Sequence, residues 1–369
     1  MRWAVEKESL LSAIDRVSRI VKSNPRSVDI LQCVKVSTYA QQVYLTATSS
    51  MASVKVQVRG AVLSDGGEFV INLDKLRDRV SKAGSKIVLQ SDDSTLKIMS
   101  SNDQKLGLRL ADPREFPEVK WVLVDESYGL PTNEVVNLLK HAHSITSSTS
   151  GLTPAFLQAK FVDRKMLVSS GVSFHKFDVE CNPALNSSIP TQTLSPLTAF
   201  IQESEGDTIW LSQDDSDEVV ISVGNDQFQT SSLAIAFPDL EPLFEKVRIA
   251  SDADVRVNRK DLIRELNNAK NSADDYGRVS LTMEGTLSTF MVVRCESASG
   301  EWFEAKLPCL WAGTEGRTLV FNVESLVKFL QSFTTDDSVL YVGDDSKKDL
   351  AAVYCSEEGH SGIINQFRI

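Results

Sequence analysis

The side chains best suited to catalysis are present in this chain, but never in a catalytic spacing. The four histidines are His141, His143, His175 and His360. His141 and His143 stand two apart on a predicted helix and so point in different directions, which argues against a shared metal. The five cysteines, Cys33, Cys181, Cys295, Cys309 and Cys355, lie far apart without a CxxC pair. Each sits in an apolar or strand-like run and reads as a buried reduced thiol. Acidic pairs occur in "SDDS", "QDDSD", "TTDD" and "GDDS". Paired carboxylates can do acid–base work, but these fall between alternating apolar runs, where hairpin turns account for them. No Walker A loop, GxGxxG, HExxH or GxSxG occurs. No catalytic residue, cofactor or metal is expected.

The bulk composition is that of a globular protein of two or three domains: 369 residues, 42% hydrophobic and 24% charged. No apolar run approaches a membrane span, and "MRWAVEKESLL" lacks a signal-peptide core, so a cytoplasmic protein without membrane contact is expected. The net charge of −11 argues against nucleic acid only if the bases are spread evenly.

The elements that would position any site are written three times. Helix-like segments start at Lys7, Asn133 and Arg259, each with apolar residues on one face: Leu10, Ile14, Val17 and Val21; Val135, Leu138, Leu139 and Ala142; Leu262, Ile263 and Leu266. A second helix follows in each unit, over 73–82, 194–203 and 323–333, after the extended lead-ins "EFVIN", "SSIPT" and "TLVFN". Asn72 and Asn322 take the cap positions. Alternating strands such as "KMLVSSGVSFHKFDVE" and "RVSLTMEGTLSTFMVV" fill the intervals. The expected fold is α+β, a domain triplicated as 1–127, 128–251 and 252–369, with boundaries near "VDESYGLPT" and "RIASDADVR".

The bases gather on the helix faces opposite the apolar stripes. Arg16 and Arg19 lie there on the first helix, with Lys22 and Arg26 just beyond; Lys75, Arg79 and Lys82 on the second; Lys140 on the third; Lys260 and Arg264 on the fifth; Lys328 near the stripe on the sixth. The fourth has none. Matched basic faces in an acidic protein suit a channel for a polyanion. With no aromatics between the bases, a duplex held through its backbone fits better than a stacked single strand.

Taken in order, "AVEKESLLSAIDRVS", "LADPREFPEV", "LPTNEVVNLLKHAHSI", "VRVNRKDLIRELNNA", "FNVESLVKFLQSF" and "INQFRI" resemble the bacterial sliding clamps, the beta subunits of replicative DNA polymerase, over essentially the whole chain. The resemblance implies three tandem clamp domains, two subunits joined head to tail in a ring, and helices lining a hole around double-stranded DNA. It implies sequence-independent DNA contact and a non-catalytic processivity role. Its implied partners are the replicative polymerase, the clamp loader and other proteins carrying a clamp-binding motif. It places a partner-peptide pocket at His175, Lys176, Phe177, Pro238, Pro242, Leu243, Ile363, Asn365, Gln366, Phe367, Arg368 and Ile369, and a homodimer interface at Leu106 and Leu108.

The chain departs from the family at several points. Phe174 in "VSFHKF" replaces a small residue, which narrows or retunes the pocket, and Asn365–Gln366 replace an apolar–Pro pair. The stretch "NNAKNSADD" is polar where the dimer contact is usually apolar. Two alternatives stay open: a specialised clamp paralogue with an altered pocket, such as an inhibitor-resistance copy, and an α+β enzyme whose site is not recognisable.

Overall fold

The triplication is carried by the order of the elements. A computed structural model describes all residues except 23–28, 102–104, 125–128, 148–153, 182–184, 214–217, 234, 286–288, 314, 344–351 and 368–369. The first copy runs β1 (Arg2–Glu6), α1 (Lys7–Lys22), β2 (Cys33–Tyr39), β3 (Gln42–Thr48), β4 (Ala52–Gln57), β5 (Val62–Asp65), β6 (Glu68–Asn72), α2 (Leu73–Ser81), β7 (Lys86–Ser91), β8 (Thr95–Ser100) and β9 (Lys105–Arg109). The second runs β10 (Gly129–Pro131), α3 (Thr132–Thr146), β11 (Gln158–Val162), β12 (Lys165–Ser169), β13 (Ser173–Asp178), β14 (Ser187–Pro190), α4 (Thr191–Glu203), β15 (Thr208–Gln213), β16 (Glu218–Val223) and β17 (Asp226–Ser231). After an added helix, α5 (Glu241–Ala250), the third runs β18 (Ser251–Asn258), α6 (Arg259–Ala269), β19 (Arg278–Glu284), β20 (Phe290–Glu296), β21 (Trp302–Ala312), β22 (Thr318–Asn322), α7 (Val323–Gln331), β23 (Asp337–Gly343), β24 (Ala352–Glu357) and β25 (His360–Asn365). The fold is α+β, with three tandem copies of one strand–helix–strands unit.

Local chemistry explains the repeated strand-to-helix corners. Asn72, Asn258 and Asn322 each end a strand and accept a hydrogen bond from the backbone N–H three residues on, at Lys75, Asp261 and Ser325. Each side chain satisfies one of the N–H groups that a helix start leaves orphaned, so strand turns into helix without a loop. The stripes then bury Leu10, Ile14 and Val17 from α1, Leu73, Leu76 and Val80 from α2, and Leu262 and Leu266 from α6. Each such side chain contributes about 1.5–3 kcal/mol of burial. The "RIASDADVR" stretch is the end of α5 running directly into β18.

By packing, the described residues form two compact units, 1–140 with 185–233 and 141–184 with 234–369. The first holds the antiparallel sheet β5-β1-β7-β8-β9 and a second sheet, β10-β15-β16-β17-β4-β3-β2-β6. In the latter the last strand of the second copy joins the first copy, with Gln227 opposite Lys55 and Thr230 opposite Ala52. The second unit holds the order β11-β12-β13-β25-β24-β23-β18-β21-β20-β19-β22. There the last strand of the third copy joins the second copy, Phe174 opposite Ile363 and Phe177 opposite His360. The same joint is therefore made twice within one chain.

All five cysteines are buried free thiols. "SDDS" is a turn, with Asp92 accepting from the backbone N–H groups of Ser94 and Thr95. Among the described residues no helix is long and apolar enough to cross a membrane, and no metal-binding cluster occurs.

Candidate functional site

The helix faces predicted to meet DNA are rich in bases, and most of these are already matched. Arg16 is a correction to the sequence reading. It is 4% exposed, donates to the Asp226 carboxylate and to Ser204 Oγ at 2.7 Å, and lies over the Phe200 ring. The helical projection placed it opposite the core of its own copy, but α4 and β17 of the next copy cover that side, so it cannot meet a phosphate. Asp226 in turn accepts from the backbone N–H of Gln57 at 2.7 Å, tying the pair to the joint itself.

The remaining bases lie nearer the surface. Arg19 pairs with Glu203, and Arg77, a base absent from the sequence reading, pairs with Asp15 at 2.8 Å. Lys82 meets Asp78 at 2.5 Å, and Arg79 is 3.9 Å from the same carboxylate. Lys260 meets Asp336 at 2.7 Å, and Arg264 meets Asp261 at 2.6 Å and Glu265 at 2.8 Å. Lys75 and Lys140 are exposed and Lys328 is half-buried, while Lys22 ends α1 and Arg26 lies outside the described residues. Exposed pairs of this kind are worth little and exchange readily, so they soften the faces without sealing them.

The predicted partner pocket divides along the alternation of β13. Side chains on one face are Phe174 and Lys176, and on the other Ser173, His175 and Phe177, because successive strand residues point to opposite sides. The first face meets a cluster in which Phe174, Leu240, Phe244, Val247, Ala352 and Ile363 are buried and Phe156, Phe237, Leu243 and Tyr354 partly so. Pro238, Pro242 and Asn365 are exposed, Gln366 is half-buried, and Phe367 is 38% exposed. Arg368 and Ile369 lie outside the described residues. On the rim, Lys165 and Lys176 both bond the Glu241 carboxylate, Lys176 at 3.0 Å, while Lys176 sits over the Phe244 ring at 4.8 Å. The bond from Lys165, then that from Lys176, holds the Glu241 carboxyl below its ordinary range against burial.

His175 and Phe177 are a second correction, since they belong to the opposite, interior face. His175 is fully buried, with Nδ1 3.2 Å from His360 Nε2 and Nε2 3.1 Å from Ser173 Oγ. The rings of Phe177 and Phe333 stack on His360 at 4.1 Å each. Burial, then the neighbouring His360 and His141, pushes the His175 pKa well down. Burial also lowers His360, opposed by Glu357. Against burial that raises it, Glu357 is held at about 2 by His360 and by the backbone N–H groups of Thr334 and Thr335. Opposite His175 stands Gly362, where a Cβ would come within 2.8 Å of the Phe329 ring. Gly362 is what lets these rings close on the strand.

Sequence reading missed Phe156, Phe237, Leu240 and Phe244, and missed α5 altogether. The spacing of Leu240, Phe244 and Val247 carried a helical signal, masked by Pro238 and Pro242. Leu106 and Leu108 lie on β9, opposite Ile98 and Leu96. Among the described residues β9 has a neighbour on one side only.

Comparison with known proteins agrees with this architecture. Residues 1–120 match the family described as DNA polymerase III beta subunit, N-terminal domain. The Beta sliding clamp of Staphylococcus aureus is 21% identical over 261 residues, covering 66% of this chain and 68% of that one. The DNA polymerase III subunit beta of Pseudomonas aeruginosa superposes with a TM-score of 0.85 at 15% identity, covering 100% of both chains. The sliding clamp of Bartonella birtlesii, solved bound to griselimycin, superposes with a TM-score of 0.84 at 19% identity over 100% of both. Over residues 1–120 this chain matches the beta-subunit family in sequence, and throughout its length it has the fold of the bacterial sliding clamps.

Proposed function

We propose that this protein is a sliding clamp: a non-catalytic, cytoplasmic processivity factor whose homodimer encircles double-stranded DNA and tethers the replicative polymerase, the clamp loader and other partners. Its domains are 1–127, 128–251 and 252–369. The observation that carries the reading is the repeated joint. The last strand of copy two pairs with the fourth strand of copy one (β17 with β4), and the last strand of copy three pairs with that of copy two (β25 with β13). The series leaves β9, the last strand of copy one, and the N-terminal half of β21, the matching strand of copy three. Those two edges complete the same joint between two chains, head to tail.

The edges suit each other. β9 reads Lys-Leu-Gly-Leu-Arg, and the facing stretch at 301–304 reads Glu-Trp-Phe-Glu, with Trp302 65% exposed. Basic meets acidic, and Leu106, part-exposed beside the buried Leu108, meets an aromatic that is solvated in the single chain. Around DNA the mechanism is topological. Closure prevents escape, so weak phosphate contacts from Lys75, Lys140 and their neighbours suffice and tight ones would impede sliding. The apolar face of β13, walled by α5 and β25, is the partner site, suited to a short peptide by its apolar floor and charged rim. Negative-stain imaging with sedimentation at two concentrations tests the assembly. Closed dimeric rings are expected; monomeric globules at both concentrations would reject the clamp reading.

A further inference from the structure

The apolar cluster on the partner face is closed by a side chain of its own. Phe174 is 8% exposed and stands edge-on to Phe156 at 5.7 Å, which stands edge-on to Phe237 at 6.0 Å. Ile363, opposite it on β25, and Phe244 are buried in the same cluster, while Leu243 and Tyr354 are only partly covered. The walls are thus those of an apolar seat, and the seat is full. On its outer side Phe174 meets Phe156, which is itself only partly buried, as is Phe237 beyond it.

We infer that Phe174 is the gate of the partner site. In the free protein its ring takes the place of the bulky apolar side chain that a partner peptide presents, and binding requires the ring to swing out. This rests on reading this face as the partner site. A site whose competent state is a minor one binds with an affinity reduced by the fraction open. The gate therefore weakens capture of peptides in general and favours those able to hold the displaced ring. That makes Phe174 a specificity-determining residue of this chain.

Titration calorimetry with griselimycin, the ligand carried by the Bartonella clamp, tests the gate on the full-length protein. Phe174→Ala is expected to bind at least ten-fold more tightly than wild type, with Phe174→Leu between them. Equal affinities, or no binding by any of the three, would overturn it. Should Phe174→Ala unfold, the Phe174→Leu comparison alone decides, with a gain of several-fold required. Sedimentation of the same samples keeps the two readings apart. Tighter binding by a chain that never dimerises upholds the gate while the clamp reading falls. A proper dimer with unchanged affinity does the reverse.

Discussion

The guanidinium of Arg16 and the carboxylate of Asp226 meet in the interior of the first joint, 4% and 2% exposed, although 210 residues separate them in the chain. A buried pair of this kind is stabilising only while complete. Arg16→Met leaves the buried Asp226 with only the more distant guanidinium of Arg59, 3.7 Å away, and the Gln57 N–H, and is expected to cost about 3 kcal/mol. Replacing both by apolar residues of similar volume should cost much less. Urea unfolding midpoints of the two single and the double variant check this, and a single Arg16→Met as stable as wild type would contradict the burial argument.

Surface bases should behave in the opposite way. Lys75→Glu combined with Arg79→Glu is expected to leave the unfolding midpoint within about 0.5 kcal/mol, as exposed substitutions do. The same variant should weaken loading on primed circular DNA, with the deficit deepening at low salt, where phosphate repulsion is least screened. Wild-type loading by this variant would remove the inner-face assignment.

The second joint should be sensitive to acid. His175 and His360 are held neutral below their ordinary value of 6.5, so the unfolded chain takes up protons that the native chain refuses. Stability is therefore full above about 6.5 and falls as pH drops below it, by at most about 1.4 kcal/mol per pH unit for each histidine. Glu357, lowered from 4.5 to about 2, adds a further loss between those values. Thermal melts between pH 7.5 and 5.5 should show the decline, and His175→Asn should reduce it, leaving the part due to His360 and the likewise lowered His141. A melt that stays level across that range in the wild type would refute the scheme.

At the chain ends of the series, Leu106→Asp and Trp302→Asp are each expected to shift the sedimenting species from dimer to protomer, since either places a carboxylate in the apolar part of the inter-chain joint. Trp302 is 65% exposed in the single chain, so its loss should not unfold it.

What could be read in the sequence was whatever depends on one element at a time. Helix faces follow from 3.6-residue spacing, and the corners at Asn72 and Asn322 follow from a cap that needs only its own helix. What could not be read depends on a neighbour far along the chain. Arg16 and Arg19 share one helix face by projection, and only the packing of α4 and β17 separates a buried ion pair from a surface one. Likewise "SFHKF" reads as one apolar stretch, but period-two alternation sends Phe174 to the partner face and His175 to the interior. Phe174 itself was legible as a departure from a small residue; that its ring fills the seat was not.

The joint that recurs along this chain is directional: a last strand always meets a fourth strand, never its own kind. Contacts between unlike patches have no built-in stopping point. They end in a closed assembly when the turn at every joint brings the final edge back to the first, and otherwise they propagate. The residues packed at β4–β17 and β13–β25, Asp226 and Gly362 among them, therefore do more than hold copies together. An alteration there that leaves each copy folded but changes the turn at the joint converts a finite assembly into an open-ended fibre.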